Sequence, residues 1–153
     1  MDKYEFEQFL HEQISVTKMM EFSVIDFSSS KVRISAKLKP NKNHHSTAFG
    51  GSINCLMTVA GWSLMYANIK EIDPDAHIVI SESSVRYLKP VTGDFTAECI
   101  LANEDDKINL FRMYNKNNKG KLTIKVACYD KDILAAEFEG RYVAFRNDKT
   151  EEK

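Results

Sequence analysis

Asn41-Lys42-Asn43-His44-His45-Ser46-Thr47-Ala48-Phe49-Gly50-Gly51-Ser52 is a polar, turn-forming run that ends in a glycine pair and opens directly into a helix. Beyond the pair, Ile53, Leu56, Met57, Ala60, Leu64 and Ala67 recur at helical spacing. Val59, Trp62 and Met65 widen the apolar surface until little of the circumference is polar. A helix that is apolar nearly all round has to be buried. It is the only long helix the sequence supports, so the remaining chain must supply what buries it.

On both sides the periodicity is mostly that of strands. Tyr4, Phe6, Phe9, Leu10 and Ile14 predict a short amphipathic helix over Lys3 to Ser15, followed by a strand from Phe22 to Phe27. Val32, Ile34, Ala36 and Leu38 then alternate with Lys31, Arg33, Ser35, Lys37 and Lys39, a half-buried strand that Pro40 is expected to end. After the long helix and its Asp73-Pro74-Asp75 turn, strands are expected over His77 to Leu88 and Phe95 to Leu101. A helix follows over Asp105 to Asn117, then a loop Asn117-Asn118-Lys119-Gly120. Strands over Leu122 to Cys128 and Ile133 to Phe145, joined by Asp130-Lys131-Asp132, complete the chain. One buried helix with five or six strands predicts an α+β domain in which a single antiparallel sheet wraps the helix. That domain would span residues 1–146, with 147–153 a disordered tail. Such a sheet has unpaired edges; joining two subunits along one predicts a homodimer or a dimer of dimers.

With 153 residues, 43% of them hydrophobic, the chain fills one core and not two. Its charges nearly cancel, leaving −1, which excludes the basic excess that nucleic-acid binding requires. Cys55, Cys99 and Cys128 are odd in number, widely spaced and set in apolar runs, so buried free thiols are expected rather than disulfides or a zinc site. The acidic start Met1-Asp2-Lys3-Tyr4-Glu5 is no signal peptide, and no apolar run is long enough for a membrane span. A cytoplasmic location is expected.

On Asn43 to Ser52, Ala60-Gly61-Trp62, Arg86-Tyr87-Leu88-Lys89-Pro90-Val91-Thr92-Gly93-Asp94-Phe95 and Glu137-Phe138-Glu139-Gly140-Arg141-Tyr142-Val143-Ala144, the chain resembles hotdog-fold proteins. More narrowly, it is similar to the thioesterase family known from the YiiD C-terminal domain. The resemblance covers Tyr4 to Phe145 and implies an acyl-CoA or acyl-carrier-protein thioesterase. Coenzyme A enters as part of the substrate, and no cofactor or metal is implied. The wider acyl-CoA thioesterase group offers the looser pattern Asn-x-His-x-Thr-x-His-Gly-Gly with an aspartate further along the helix. Asn43, His45, Thr47, Gly50 and Gly51 fit that pattern; Phe49 and Thr58 stand where its second histidine and its aspartate would be.

The candidate site follows from both lines. N–H groups at a helix start lack partners and sit in positive potential, so Gly51, with Gly50, can hold a developing oxyanion. Tight loop entry with Ser52 capping the helix is the structural alternative. Asn43 suits either water or substrate orientation or an Asx-turn. His45 suits a base, since histidine changes charge near neutral pH, or a loop contact. Adjacent His44 and His45 without further ligands do not make a metal site. Thr58 can position water but not deprotonate it, or can simply bond back to its own helix. Phe49, Asn54, Trp62 and Tyr87 are expected to touch substrate. Met57 and Met65 suit an acyl tunnel or the core. Glu82 and Asp94 are alternative bases, and Arg86 and Lys89 suit the phosphates of a CoA arm. A non-catalytic acyl-thioester binding module is the second functional expectation. A dehydratase on the same fold is a third, against which Phe49 argues.

Overall fold

The computed structural model describes residues 1–147; the expected disordered tail, apart from Asn147, lies outside them. Asp2 caps α1 (Lys3–Gln13), its carboxylate accepting the Tyr4 and Glu5 N–H groups while Glu5 returns the bond to Asp2 N–H. The helix stops two residues earlier than the pattern suggested. A separate turn, α2 (Val16–Met19), then leads into β1 (Phe22–Phe27) and β2 (Lys31–Ala36).

β2 is shorter than its alternation predicts, ending at Ala36 and not at Lys39. Tertiary bonds override the local pattern here. Asp94 accepts the Leu38 N–H at 2.9 Å, and Asn41 Nδ2 donates to Lys37 O at 2.7 Å and Met20 O at 2.8 Å. Together they wind Lys39–Asn41 into a 3-10 turn. Asp94 thereby serves as a loop anchor, held below the usual carboxylate range chiefly by the Leu38 N–H.

α3 (Gly50–Ile69) is the long helix, followed by β3 (His77–Tyr87), β4 (Phe95–Ile100), α4 (Glu104–Asn117), β5 (Lys119–Asp130) and β6 (Ile133–Phe145). Gly120 lies inside β5 and not in a loop, because α4 packs Leu110 and Tyr114 over the place its side chain would occupy. All pairs are antiparallel, in the order β1-β2-β4-β5-β6-β3. Buried residues on alternate positions (Val32, Ile34, Ala97, Ile124, Val126, Phe138, Tyr142) face α3, whose Leu56, Met57, Ala60, Leu64 and Met65 are wholly buried among them. Leu56, Met57, Leu64 and Met65 contribute about 1.5–3 kcal/mol each, enough to hold a helix with little amphipathic character in place. Met57 and Met65 are core residues and line no open surface. Phe6 of α1 stacks on Phe27 at 3.8 Å and leans on Tyr66 of α3, so α1 covers the C-terminal half of the helix. None of the described helices is long and apolar enough to cross a membrane.

Candidate functional site at the start of the central helix

The loop before α3 is closed by its own asparagine. Asn43 Oδ1 accepts the N–H groups of His45 (2.9 Å) and Thr47 (3.2 Å), Nδ2 donates to Thr47 Oγ1 (2.9 Å), and Asn43 N–H reaches Thr47 O. This is an Asx-turn, with Ser46 at a left-handed φ of 60°. His44 and His45 lie exposed at the loop tip, their rings 3.9 Å apart and tilted by 42°. Beneath the loop lies a residue that sequence reasoning passed over. Asn41, 2% exposed, accepts the Phe49 N–H at 2.7 Å through its carbonyl while its amide ties down Lys37 and Met20. It stood in the quoted polar run without a pattern to distinguish it.

Ser52 does not cap α3. Phe49 occupies the cap position with extended backbone (φ −62°, ψ 133°) and offers no side-chain acceptor; Ser52 and Ile53 N–H both turn back to Phe49 O. The N–H groups of Gly50 and Gly51 have no acceptor among the described residues. Two exposed aromatics flank them. The Phe49 ring lies over Gly51, where a Cβ would come within 2.5 Å of Cε1. Tyr87 Oη donates to Gly50 O at 2.9 Å. The arrangement is a pair of unpartnered donors at a positive helix end, walled by two rings.

Along α3, Gly50, Asn54, Thr58 and Trp62 form one half-buried stripe at four-residue steps, with both ends touching β3. At the far end Trp62 Nε1 donates to Ile78 O at 3.3 Å and stacks on Tyr66. Thr58 Oγ1 donates to Asn54 O at 2.8 Å. Its proton is thus committed, and it presents only lone pairs outward. Seven residues separate Gly51 from Thr58, about 10 Å of helix rise, so the two do not meet at one reacting atom within a chain.

The bulge in β3 decides which of its residues approach this stripe. Register shifts between Ile80 and Glu82, so the face toward α3 passes from Ile78 and Ile80 to Ser83, Val85 and Tyr87. Tyr87 is thereby brought to the helix start. Glu82 and Arg86 point to the opposite sheet face, where they meet Arg141 and Glu137, each at 3.8 Å. Lys89 lies exposed just past the strand. A groove of about 520 Å³ on that outer face, between Arg86, Glu98, Lys125 and Glu137, includes none of the helix-start residues. Burial pushes the thiols of Cys99 and Cys128 up to about 12, which makes neither a nucleophile.

A family model described as "Putative thioesterase (yiiD_Cterm)" matches residues 3–146. The chain belongs to this family. It is 29% identical to a "putative thioesterase" from Shewanella oneidensis whose crystal structure superposes with a TM-score of 0.82, over 94% of this chain and 97% of that one. A Chlorobaculum tepidum protein of unknown function is 23% identical with a TM-score of 0.88 (95% and 94% covered). A Haemophilus influenzae thioesterase is 11% identical with a TM-score of 0.75 (99% and 96% covered). The last two likenesses speak to the fold, which is the hotdog fold of thioesterases.

Proposed function

We propose that this member of the YiiD C-terminal thioesterase family hydrolyses acyl thioesters of coenzyme A or of an acyl-carrier protein. The observation that carries the reading is the unpartnered Gly50 and Gly51 N–H pair at the start of α3. The thioester carbonyl accepts the Gly51 N–H, water adds to the carbonyl carbon, and the carbon–sulfur bond breaks. Oxygen and one proton of the water end on the acid, and the other proton on the thiol. Thr58, whose lone pairs face outward, suits a water that donates to it. Asn43 shapes the loop beside that water, and the exposed Lys89 suits a carrier phosphate.

Because Gly51 and Thr58 are too far apart in one chain, a complete centre takes Gly51 from one copy and Thr58 from another. β3 supports such pairing. It is an 11-residue edge strand with one unpaired side and with Val79, Ile80, Tyr87 and Leu88 exposed along and just beyond it. Light scattering is expected to give twice the 17.5 kDa chain mass, or four times it; a monomer would remove the shared centre.

Asn43→Ala deletes the side-chain bonds that close the loop and is expected to lower the rate of thiol release at least about tenfold. An unchanged rate would take Asn43 out of the site and turn attention to His45. The hydroxyl of Thr58, unable to act as a base, favours one second reading, a binding module that holds acyl thioesters without turnover. Calorimetric binding of a non-hydrolysable acyl-CoA thioether, set beside thiol release from the matching thioester, separates the two.

A further inference from the structure

Two of the quoted motifs, Ala60-Gly61-Trp62 and Gly140-Arg141-Tyr142, meet inside the molecule. Tyr142, fully buried on β6, donates its hydroxyl to Thr58 O at 2.7 Å. Gly61 makes that approach possible, since a Cβ there would lie 2.8 Å from Cε2 and Cζ of the ring. Gly140 leaves room on the other side, where a Cβ would meet Phe138 and, at 3.0 Å, Tyr142. The next two carbonyls also take side-chain donors. Ser63 Oγ reaches Val59 O at 2.7 Å, and Cys99 Sγ reaches Ala60 O at 3.3 Å. The turn from Thr58 to Trp62 is therefore held from the sheet as well as by its own ladder, and donors of this kind set local helix geometry.

We propose that Tyr142 is a positioning residue for the thioester site, acting through Thr58. The inference rests on the hydrolase reading above. The hydroxyl fixes the peptide plane that follows Thr58 and with it the direction of the Thr58 lone pairs, while Trp62 sits one turn further along the same stripe. A displacement of about 1 Å at a reacting centre can cost about 10²-fold in rate, so a single buried oxygen is a sufficient lever.

Tyr142→Phe removes that oxygen and leaves the ring between Gly61 and Gly140. Thr58 O keeps its helical partner, the Trp62 N–H, so no buried acceptor is orphaned and the fold is retained. The expected result is a kcat lowered about tenfold, a KM within about twofold, and a thermal midpoint within a few degrees of wild type. A purely structural role would move the midpoint and leave kcat alone. Gly61→Ala, which keeps the phenol but drives it off Thr58 O, is expected to lower kcat by the same factor, with a lower thermal midpoint because its Cβ meets a fully buried ring. The decisive comparison is a double-mutant cycle. In a Thr58→Ala background, Tyr142→Phe should cost nothing more. Additive losses, or an unchanged kcat in both single variants, would overturn the inference while leaving the hydrolase standing. A wild-type chain that binds acyl-CoA thioether and releases no thiol would overturn the hydrolase reading, and the inference with it.

Discussion

Replacing Gly51 by proline is expected to cut thioester turnover by about 10²–10³-fold with the fold intact. The substitution deletes one N–H and moves one exposed ring. That N–H has no acceptor among the described residues, so no structural bond is lost, and proline is accepted in the first turn of a helix for that reason. The new ring displaces the Phe49 side chain, which is 58% exposed and free to swing into solvent. Gly51→Ala is the control, because it meets the same ring and keeps the donor. Its kcat is expected to stay within about tenfold of wild type, against the two to three decades lost when an oxyanion donor is removed. Equal losses in the two variants would show that the Phe49 contact matters and the donor does not.

Asp73→Ala is expected to destabilise the domain by about 3 kcal/mol. Asp73 is 2% exposed and binds three segments together. It accepts the Tyr114 hydroxyl of α4, the Asp75 N–H of its own turn, and Arg146 Nε and Nη2 at 2.8 and 2.6 Å just beyond β6. Removing it leaves a buried phenol without an acceptor. Arg146 is half exposed and rehydrates, which places the cost at the low end of what breaking a buried ion pair involves. The thermal midpoint should fall by about 10 °C for a chain of this length. The same carboxylate makes stability depend on acid. Arg146, ahead of Tyr114 and the Asp75 N–H, holds the Asp73 carboxyl far below the usual carboxylate range. Its contribution is full above about pH 4, the unfolded value, and is lost as pH falls below that toward the folded value. Denaturant midpoints at pH 6 and pH 3 should therefore differ less in Asp73→Ala than in wild type.

What was legible in the sequence was what is local. The all-round apolar surface of α3 and the alternation of β2 gave the helix, the strands and the wrapped architecture, because each period arises from neighbours a few residues apart. Misjudged features depend on partners in other elements. β2 ends early because Asp94 captures Leu38, and Gly120 joins β5 because α4 packs over it. A one-residue bulge at Ser81 turned Glu82 and Arg86 away from the helix and Tyr87 toward it. Nothing in the run Ser81-Glu82-Ser83-Ser84 announces such a shift, which flips every later side chain in the strand. At the site itself, the glycine pair was visible because its position before an apolar helix is a local fact. Asn41 beneath the loop and Tyr142 behind Thr58 were not: the Tyr142 contact joins residues 84 apart, and the Asn41 tie to Met20 spans 21, while no pattern marks its shorter bonds to Lys37 and Phe49.

Release of free thiol by the wild-type chain from a panel of acyl-CoAs, short, long and aromatic, separates a hydrolase from a binding module. Steady turnover is expected on at least one member of the panel, abolished or reduced by two decades or more in Gly51→Pro. No release from any member, alongside saturable binding of the matching thioether, would contradict it and leave a hotdog domain that holds acyl thioesters without cleaving them.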